Sequence, residues 1–260
     1  MYLDFFDAAP FAAALADRRI IAAAVVAVLA GAVRGFTGFG SAMIYIPLVS
    51  AIYGPRLAVT TLLLVDFVSS APFSVAAFRR CNWREVLPVS VVMAATIPLG
   101  ALLLVFVDPI VLRWFIAFLV IGLIAVLASG WRYRGGPTLA ASITVGAVAG
   151  IGSGAVQIAG PAVIIYWLGG LSPAAVVRAN LMVVFLISDI VSTVTYTAQG
   201  LLTAEVLVLS VLLGVPFLAA MIVGAWMFRG SSDAAYRRVA YVIIAISAVL
   251  SLPVFDRIFR

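Results

Sequence analysis

The sequence of 260 residues has no histidine and no lysine, and its single cysteine is Cys81. Without histidine, the usual zinc and haem sites and the Ser-His and Cys-His catalytic pairs lose a ligand or a base. A single cysteine excludes an intramolecular disulfide and any metal cluster held by several cysteines. No suitable pairing of a serine with an aspartate is visible in the sequence. The sequence therefore predicts a protein that is not an enzyme and that uses no metal and no cofactor.

Charged residues are scarce and apolar residues are abundant. Only 10% of the residues are charged and 65% are hydrophobic, whereas about 25% of an average soluble domain is charged. Apolar runs of about 20 residues recur, and this length crosses about 30 Å of hydrocarbon as a helix. The runs are continuous and not alternating, which favours helices over a barrel. We predict an all-α polytopic protein of the lipid bilayer, with no nucleic-acid partner.

Five breaks divide the apolar sequence, and three of them carry most of the loop arginines. The positive-inside rule places these three, at 79–85, 131–137 and 228–238, in the cytoplasm. The breaks at 107–109 and 198–200 are then outside. Residues 1–19 are predicted to form a short interfacial helix, with a frayed tail as the alternative. The predicted apolar segments are 20–33, 42–53, 57–78, 86–106, 110–128, 138–149, 155–168, 174–198, 202–227 and 236–254.

Two of these segments in each half are too short to cross a membrane alone. Residues 20–33 and 42–53 would form about 21 Å and about 18 Å of helix, against about 30 Å of hydrocarbon. Residues 138–149 and 155–168 are similarly short. Each pair predicts a broken or hairpin element that stops near the middle of the membrane.

One glycine pattern occurs twice. The pattern G-x3-G-x2-G-x-G-x6-P runs from Gly31 to Pro47, and G-x3-G-x-G-x-G-x6-P runs from Gly146 to Pro161. The two patterns differ by a single dropped residue. Such a recurrence predicts an internal duplication of the chain.

The duplicated halves are predicted to be 1–134 and 135–260, together forming one transmembrane domain. Segment 57–78 ends at cytoplasmic arginines, whereas its counterpart 174–198 ends at an uncharged break. The halves therefore have opposite orientations, as in the inverted repeats of many secondary transporters. The arginines at the two termini would then lie outside, which opposes this orientation. Each half is predicted to have one half-spanning element followed by three spanning helices.

The motif glycines have two explanations. Small residues spaced by four let helices approach closely, and we favour this explanation for Gly31 and Gly146. The glycines nearer the break permit an unwound backbone, which is tolerated at membrane depth only around a cavity. Half-helices from about Ser41 and about Ala155 would aim their N-termini, which favour anions, at that cavity. The predicted substrate-binding residues are Arg34, Thr37, Gly38, Gly40, Ser41, Gly152, Ser153, Gly154, Gln157 and Asn180.

Arg34, Asp66 and Asp189 lie deep in predicted spans. Ionisable residues at such depth are functional candidates by default. Arg34 either contacts an anionic substrate or pairs with a carboxylate, and the sequence leaves both open. Asp66 and Asp189 are candidates for proton coupling, with a structural Arg–Asp ion pair as the alternative. Arg178 is a further candidate of this kind, or its side chain extends to the interface.

The repeat also relates the two acids to each other. It pairs Asp66 with Phe185 and Asp189 with Ser70. Positions 66 and 70 are one helical turn apart, so the two acids occupy nearly equivalent faces in the two halves.

Almost the whole chain, from about residue 20 to residue 254, resembles the sulfite exporter TauE/SafE family, also called the toluene sulfonate uptake permease family. The residues that carry the resemblance are GAVRGFTGFGSAMIYIPLVSAIYG with PRLAVTTLLLVDFVSS, and GAVAGIGSGAVQIAGPAVIIYWLGGLSPAAVVRANL. The resemblance implies a bacterial inner-membrane transporter of small anions, often sulfite or organosulfonates, without nucleotide hydrolysis. Family members often have three consecutive glycines at the second break, where this chain reads GIGSG.

The function expected is a secondary transporter of a small sulfur-containing anion, working outward by alternating access. An anion channel or uniporter, or a permease of this type for another small substrate, is the alternative. A proton or a sodium ion as the coupling ion, and a homodimeric assembly, are compatible with the sequence.

Overall fold

The computed structural model describes residues 8–112, 138–168 and 172–228, with the isolated residues 114, 115, 118, 122 and 242. Most of the predicted segments 110–128 and 236–254 lies outside the described residues. The described ranges contain helices and no strand. The helices are α1 (Ala8–Ala16), α2 (Arg19–Thr37), α3 (Ser41–Tyr53), α4 (Pro55–Ala77), α5 (Trp83–Phe106), α6 (Leu139–Val156), α7 (Gly160–Leu168), α8 (Ala174–Ala198) and α9 (Ala204–Phe228).

Six of these helices, α2, α4, α5, α6, α8 and α9, are long and apolar enough to cross a membrane. They have 18 to 25 residues, which corresponds to about 27–38 Å at 1.5 Å per residue. Their exposed surface is rich in large apolar side chains, such as Val25, Leu102 and Trp226, as lipid-facing helices require. The prediction of an all-helical polytopic membrane protein is confirmed.

Helices α2 and α6 are longer than the sequence analysis predicts. The apolar segments 20–33 and 138–149 were expected to end near the middle of the membrane, but the helices continue to Thr37 and Val156. The prediction that these two segments are too short to span is therefore wrong. An arginine that is paired with a carboxylate can lie within a helix, and so can a glycine that packs against a neighbouring helix. Neither kind of residue therefore has to end a helix. Helices α3 and α7 remain short, with 13 and 9 residues.

Each short helix turns back along the long helix before it. The hydroxyl of Tyr53, at the end of α3, donates to Asp17, which immediately precedes α2 (3.2 Å). In the second half, the hydroxyls of Ser142 in the first turn of α6 and Tyr166 in α7 are 2.9 Å apart. The pairs α2–α3 and α6–α7 are therefore helical hairpins. Each hairpin begins and ends at the same end of the helix bundle.

The two hairpins enter the bundle from opposite ends, which we name after Tyr53 and Cys81. At the Tyr53 end, α4 begins and α5 ends, since Arg56 donates to the carbonyl of Val105 (2.8 Å). At the Cys81 end, α5 and α8 begin, since the backbone N–H of Asn82 donates to the side chain of Asn180 (2.7 Å). Helix α6 begins at this end as well, because it packs in parallel against α5.

Glycines allow two parallel helix pairs, α2 with α9 and α5 with α6, to pack with their backbones in contact. A Cβ atom at Gly35 would overlap the carbonyl oxygen of Met221, and one at Gly154 would overlap that of Ile97. The partner helices have matching glycines. A Cβ atom at Gly224 of α9 would overlap the Ala32 carbonyl, and one at Gly100 of α5 would overlap the Ile151 carbonyl. Each of these substitutions would push two helices apart.

These contacts relate the two halves in a register that differs from the sequence motif. They make Gly35 equivalent to Gly154 and Ala32 equivalent to Ile151, a separation of 119 residues in both cases. The motif instead pairs Gly35 with Gly150, one helical turn away. Glycines repeat every four residues here, so a shift of one turn still matches glycine with glycine. The separation of 119 residues also pairs Asp189 with Ser70, as the sequence analysis does.

Two apolar clusters fill the interior of the described bundle. One contains Tyr45, Leu62, Leu104 and Tyr196 and lies toward the Tyr53 end. The other contains Phe39, Met43, Val86 and Phe185 and lies toward the Cys81 end. Buried charged side chains are found where the two clusters meet.

Candidate functional site

The breaks within the two hairpins line one cavity of about 40 Å³. The first break contributes Gly40 and the first turn of α3, and the second contributes residues 157–160. Helices α2, α4, α6 and α8 supply the remaining walls. The polar side chains that line the cavity are Arg34, Ser41, Asp66, Ser153, Gln157, Ser188 and Asp189.

Arg34 is 4% exposed and makes three contacts in the site. Its Nη2 lies 2.8 Å from Oδ2 of Asp66, as an ion pair. Its Nη1 donates to the carbonyl oxygen of Gly38 at the first break. Its guanidinium carbon lies 5.0 Å from the centre of the Phe185 ring, within the range of a cation–π contact. The structure thus shows Arg34 paired with a carboxylate while also lining the cavity.

Asp66 connects α4 to both helices of the first hairpin. Beyond the Arg34 ion pair on α2, its Oδ1 accepts a hydrogen bond from Ser41 Oγ at the start of α3 (3.3 Å). Asp66 as a whole is 7% exposed. Since a buried charge needs a partner and hydrogen bonds, this arrangement compensates both ions of the pair.

Asp189 is 5% exposed and is held differently. Its Oδ2 is buried and has no hydrogen-bond partner among the described residues. The adjacent Ser188 is hydrogen bonded to Ser153 of α6 (2.6 Å). Among the described residues, the cavity therefore contains one arginine, one carboxylate paired with it and a second carboxylate without a partner cation.

The backbone at the first break agrees with the prediction of an unwound segment at Gly38 and Gly40, whereas Gly35, which was also expected to be unwound, lies within α2. Gly38 and Gly40 have φ values of 80° and 87°, which only glycine adopts without strain. Helix α3 begins at Ser41, as predicted, and no side chain caps its N-terminus. The first N–H groups of a helix have no partner within the helix, so this end of α3 offers hydrogen-bond donors beside the cavity.

The second break lies later than predicted. Gly150, Gly152 and Gly154 were expected to be unwound, with a half-helix from about Ala155, but all four residues lie within α6. The helix instead ends at Val156 and is followed by Gln157, which has a left-handed conformation with φ of 53°, and α7 begins at Gly160. Gly150 and Gly154 are needed for close contact with α5, which leaves the break to the residues that follow.

Several predicted site residues lie outside the cavity wall. Thr37 donates to the carbonyls of Val33 and Phe39 and so supports the first break. Gly152 and Gly154 are covered by neighbouring helices, and their carbonyls accept from Ile158 N–H and the Tyr196 hydroxyl.

Two further candidates bind other parts of the protein. Asn180 connects α8 with Asn82 and Glu85 at the Cys81 end. Arg178 donates to the carbonyl of Gly35 (2.7 Å) and lies over the ring of Phe228. Together with Gly38 and Arg34 it borders a second, smaller cavity of about 10 Å³. Arg178 is thus close to the first break but not in the main cavity, and Asn180 lies at the Cys81 end.

Apolar wall residues were not predicted from the sequence. They include Met43, Leu62, Ile158 and Phe185. Phe185 could have been found from the sequence, because the repeat pairs it with Asp66. Ser188, a polar wall residue, could have been found because it adjoins Asp189.

The family described as sulfite exporter TauE/SafE matches residues 23–251 of the chain. The chain belongs to this family. The TauE/SafE resemblance seen in the sequence is confirmed, and it covers all six helices that are long enough to span a membrane except the start of α2. TauE/SafE proteins are membrane transporters and not enzymes, and this chain is a multi-pass member. No curated protein and no solved structure matches it.

Proposed function

We propose that this protein moves a small sulfur-containing anion, such as sulfite or an organosulfonate, outward across the bacterial inner membrane by alternating access. The observation that carries the proposal is the buried cavity where both hairpin breaks meet Arg34. Arg34 and the N-terminus of α3 provide positive charge and hydrogen-bond donors, which an oxyanion requires.

The size of the cavity favours a small ligand. A volume of about 10–15 Å³ holds one water, so the cavity of about 40 Å³ suits a few waters or a small oxyanion. A larger aromatic sulfonate would require the walls to move. Sulfite and short alkyl sulfonates are therefore the preferred candidates.

The charges in the cavity favour coupling to a cation. With both carboxylates ionised, one arginine faces two negative charges, and an incoming anion would be repelled. A proton on Asp189 removes this excess charge, and it also removes the cost of burying an unpaired carboxylate. Proton coupling is thus the simplest way to make the site accept an anion, and sodium binding at Asp189 is the alternative that the experiment below distinguishes.

Alternating access is supported by the two hairpins. They enter the bundle from opposite ends, and matching glycine contacts hold each one against a long helix. This is the arrangement expected of inverted repeats in the halves 1–134 and 135–260. The two apolar clusters lie on either side of the cavity, so each is in a position to act as one gate.

The proposed orientation places the Cys81 end in the cytoplasm. Arg79, Arg80 and Arg84 lie at that end, as the positive-inside rule predicts. Arg19 at the opposite end is in an ion pair with Asp17 (3.0 Å). Its charge is therefore partly compensated, which weakens the objection that an arginine near the N-terminus should lie inside.

The test is transport in proteoliposomes with sulfite or methanesulfonate. An imposed proton gradient should accelerate movement of the anion against its own gradient, with and without sodium. Acceleration that requires sodium would assign the coupling to sodium. Conductive anion flux that neither gradient drives would instead show a channel or uniporter. Absence of flux for both anions, in vesicles that contain folded protein, would contradict the proposed substrate class.

A further inference from the structure

We propose that one face of α8 forms a proton path from the Tyr53 end of the bundle to Asp189. The path consists of Asp189, Ser192 and Tyr196 on α8 and of Gln199, which caps its C-terminus, and these residues are spaced by three, four and three. Residues with this spacing lie along one face of a helix. From Asp189 to Gln199 the path covers about 15 Å at 1.5 Å per residue. The inference rests on the proposed proton coupling and identifies the side from which the proton arrives.

Three of the four residues have a buried polar atom without a hydrogen-bond partner in the described part of the chain. These atoms are Asp189 Oδ2, Ser192 Oγ and Gln199 Oε1. Buried polar atoms are nearly always hydrogen bonded to protein or to ordered water. Three such atoms along a single face are therefore best explained by water molecules that bridge them, which is the medium through which a proton moves.

Tyr196 connects this face to the cavity. Its side chain is fully buried, and its hydroxyl donates to the carbonyl of Gly154 (2.6 Å). The same hydroxyl accepts from Nε2 of Gln157, which lines the cavity (3.4 Å). Hydroxyl groups both donate and accept hydrogen bonds, so Tyr196 and Ser192 can pass a proton along a chain of waters.

The side chains around Asp189 favour the binding of the proton to this carboxyl group. Arg34 of α2 and Asp66 of α4 are the charged side chains that line the same cavity. Helix α3 contributes the hydroxyl of Ser41, and α6 contributes Ser153 and Gln157. Arg34 is already paired with Asp66, which leaves Asp189 as the carboxyl group that gains most from a proton.

The path along α8 leads to the Tyr53 end of the bundle. The separation of 119 residues pairs the four positions with Ser70, Phe73 and Ala77 on α4 and with Arg80, which follows α4. Two of these, Phe73 and Ala77, are apolar, so the row on α8 has no counterpart at the equivalent positions. The buried hydroxyls that follow Asp66 on α4 are those of Ser70 and Ser74, and the Ser74 hydroxyl donates to the Ser70 carbonyl (2.9 Å). A proton that reaches Asp189 along α8 therefore comes from the Tyr53 end, which the proposed orientation places outside the cell.

The first test asks whether water reaches the path, and it needs no substrate. Radiolytic hydroxyl-radical labelling modifies tyrosines that adjoin bound water. Tyr196 and Tyr45 are both fully buried, which makes Tyr45 a matched control. We expect modification of Tyr196 with little at Tyr45, and its loss in S192V, whose extra methyl groups displace water. Equal, low modification of both tyrosines would overturn the proposal.

The second test separates the path from transport itself. In S192V, transport of methanesulfonate driven by a proton gradient should be lost, while exchange of labelled for unlabelled anion continues. T195V is the control, because Thr195 lies on α8 outside the path and donates to the Val191 carbonyl. Loss of exchange together with driven transport would overturn the assignment to a proton path. If the wild type shows no proton coupling but Tyr196 is modified, the path contains water and the proposed coupling is wrong.

Discussion

Arg34 shows why a buried charge has to be interpreted together with its partner. The sequence leaves open whether this arginine binds a substrate or a carboxylate, and the structure places it beside both Asp66 and the cavity. Removing one member of a buried ion pair leaves the other charge uncompensated, which usually costs more than the pair contributes. Under the proposed function the arginine serves both folding and binding, so a single substitution would mix the two effects.

We therefore expect R34Q alone to be strongly destabilised, by about 3–5 kcal/mol, because Asp66 becomes an unpaired buried charge. The double variant R34Q/D66N should recover most of this stability, as measured by thermal unfolding in detergent. Its affinity for the anion should still be lower by about 1.5–3 kcal/mol, the contribution of a charged hydrogen bond, or about 10- to 150-fold. Wild-type affinity in the stable double variant would remove Arg34 from the binding site.

Gln157 has a backbone conformation that its side chain does not favour. Left-handed φ values cost a residue with a Cβ atom about 1–2 kcal/mol, and strain of this kind tends to persist at functional sites. We expect Q157G to keep or raise the melting temperature, because the strain is relieved. Transport should fall, because the side chain that lines the cavity and contacts Tyr196 is gone. Unchanged transport would show that the strained glutamine has no role in the cavity.

Among the helices, the glycines of α6 act mainly through contact and not through unwinding. A Cβ atom at Gly154 would meet the backbone of Ile97, so G154A should separate α5 from α6. Overpacking of this kind costs about 1–3 kcal/mol, visible as a lower melting temperature in detergent. Gly214, within α9, is the control, since a Cβ atom added there would lie 3.9 Å from a Val65 methyl, an ordinary contact. G214A should be neutral or slightly stabilising, and an equal loss in both variants would refute the contact.

The elements also show what a sequence can predict here. Spans α4, α5, α8 and α9 follow from long apolar runs, because no other structure satisfies the backbone in lipid. The ends of α2 and α6 do not, because a glycine serves an unwound break and a helix contact equally well. The break at Gln157 was missed for this reason, although Gln157 itself was identified as a site residue.

The residues of the candidate site also divide into those that the sequence can identify and those that it cannot. Arg34, Asp66 and Asp189 could be selected because charges at membrane depth are rare and costly. Asn180 was also selected, yet the structure places it against Asn82 and Glu85 at the Cys81 end. The position of Asn180 in the sequence, after the second hairpin, gave no indication of its depth in the membrane. That depth depends on how far each helix is shifted along its neighbours and not on the order of the helices.

At the scale of the whole molecule, the two ends of the bundle should be accessible from opposite sides of the membrane. Native Cys81 reports one end, and A198C in a C81A background reports the other. A membrane-impermeant maleimide added to intact cells should label A198C and not Cys81. Labelling of both thiols from the same side would contradict the proposed inverted arrangement of the halves.

The labelling conditions have to suit both thiols. Burial raises the pKa of the Cys81 thiol, and the thiolate is the reactive form. In mildly alkaline buffer more of the thiol is ionised, so a lack of labelling of Cys81 from outside then shows that the reagent does not reach it. Permeabilised cells provide the control, because Cys81 should become labelled once the reagent reaches the cytoplasm.

The small volume of the cavity between the hairpins also determines how the protein would distinguish ions. At about 40 Å³, it has no room for an anion together with its hydration shell. A transported ion would have to be dehydrated before it meets Arg34, and the cost of dehydration rises steeply with charge. Singly charged, weakly hydrated ions such as bisulfite or methanesulfonate would therefore enter more readily than sulfate. Selectivity would arise from the free energy of removing water from each ion, even among ions of similar shape.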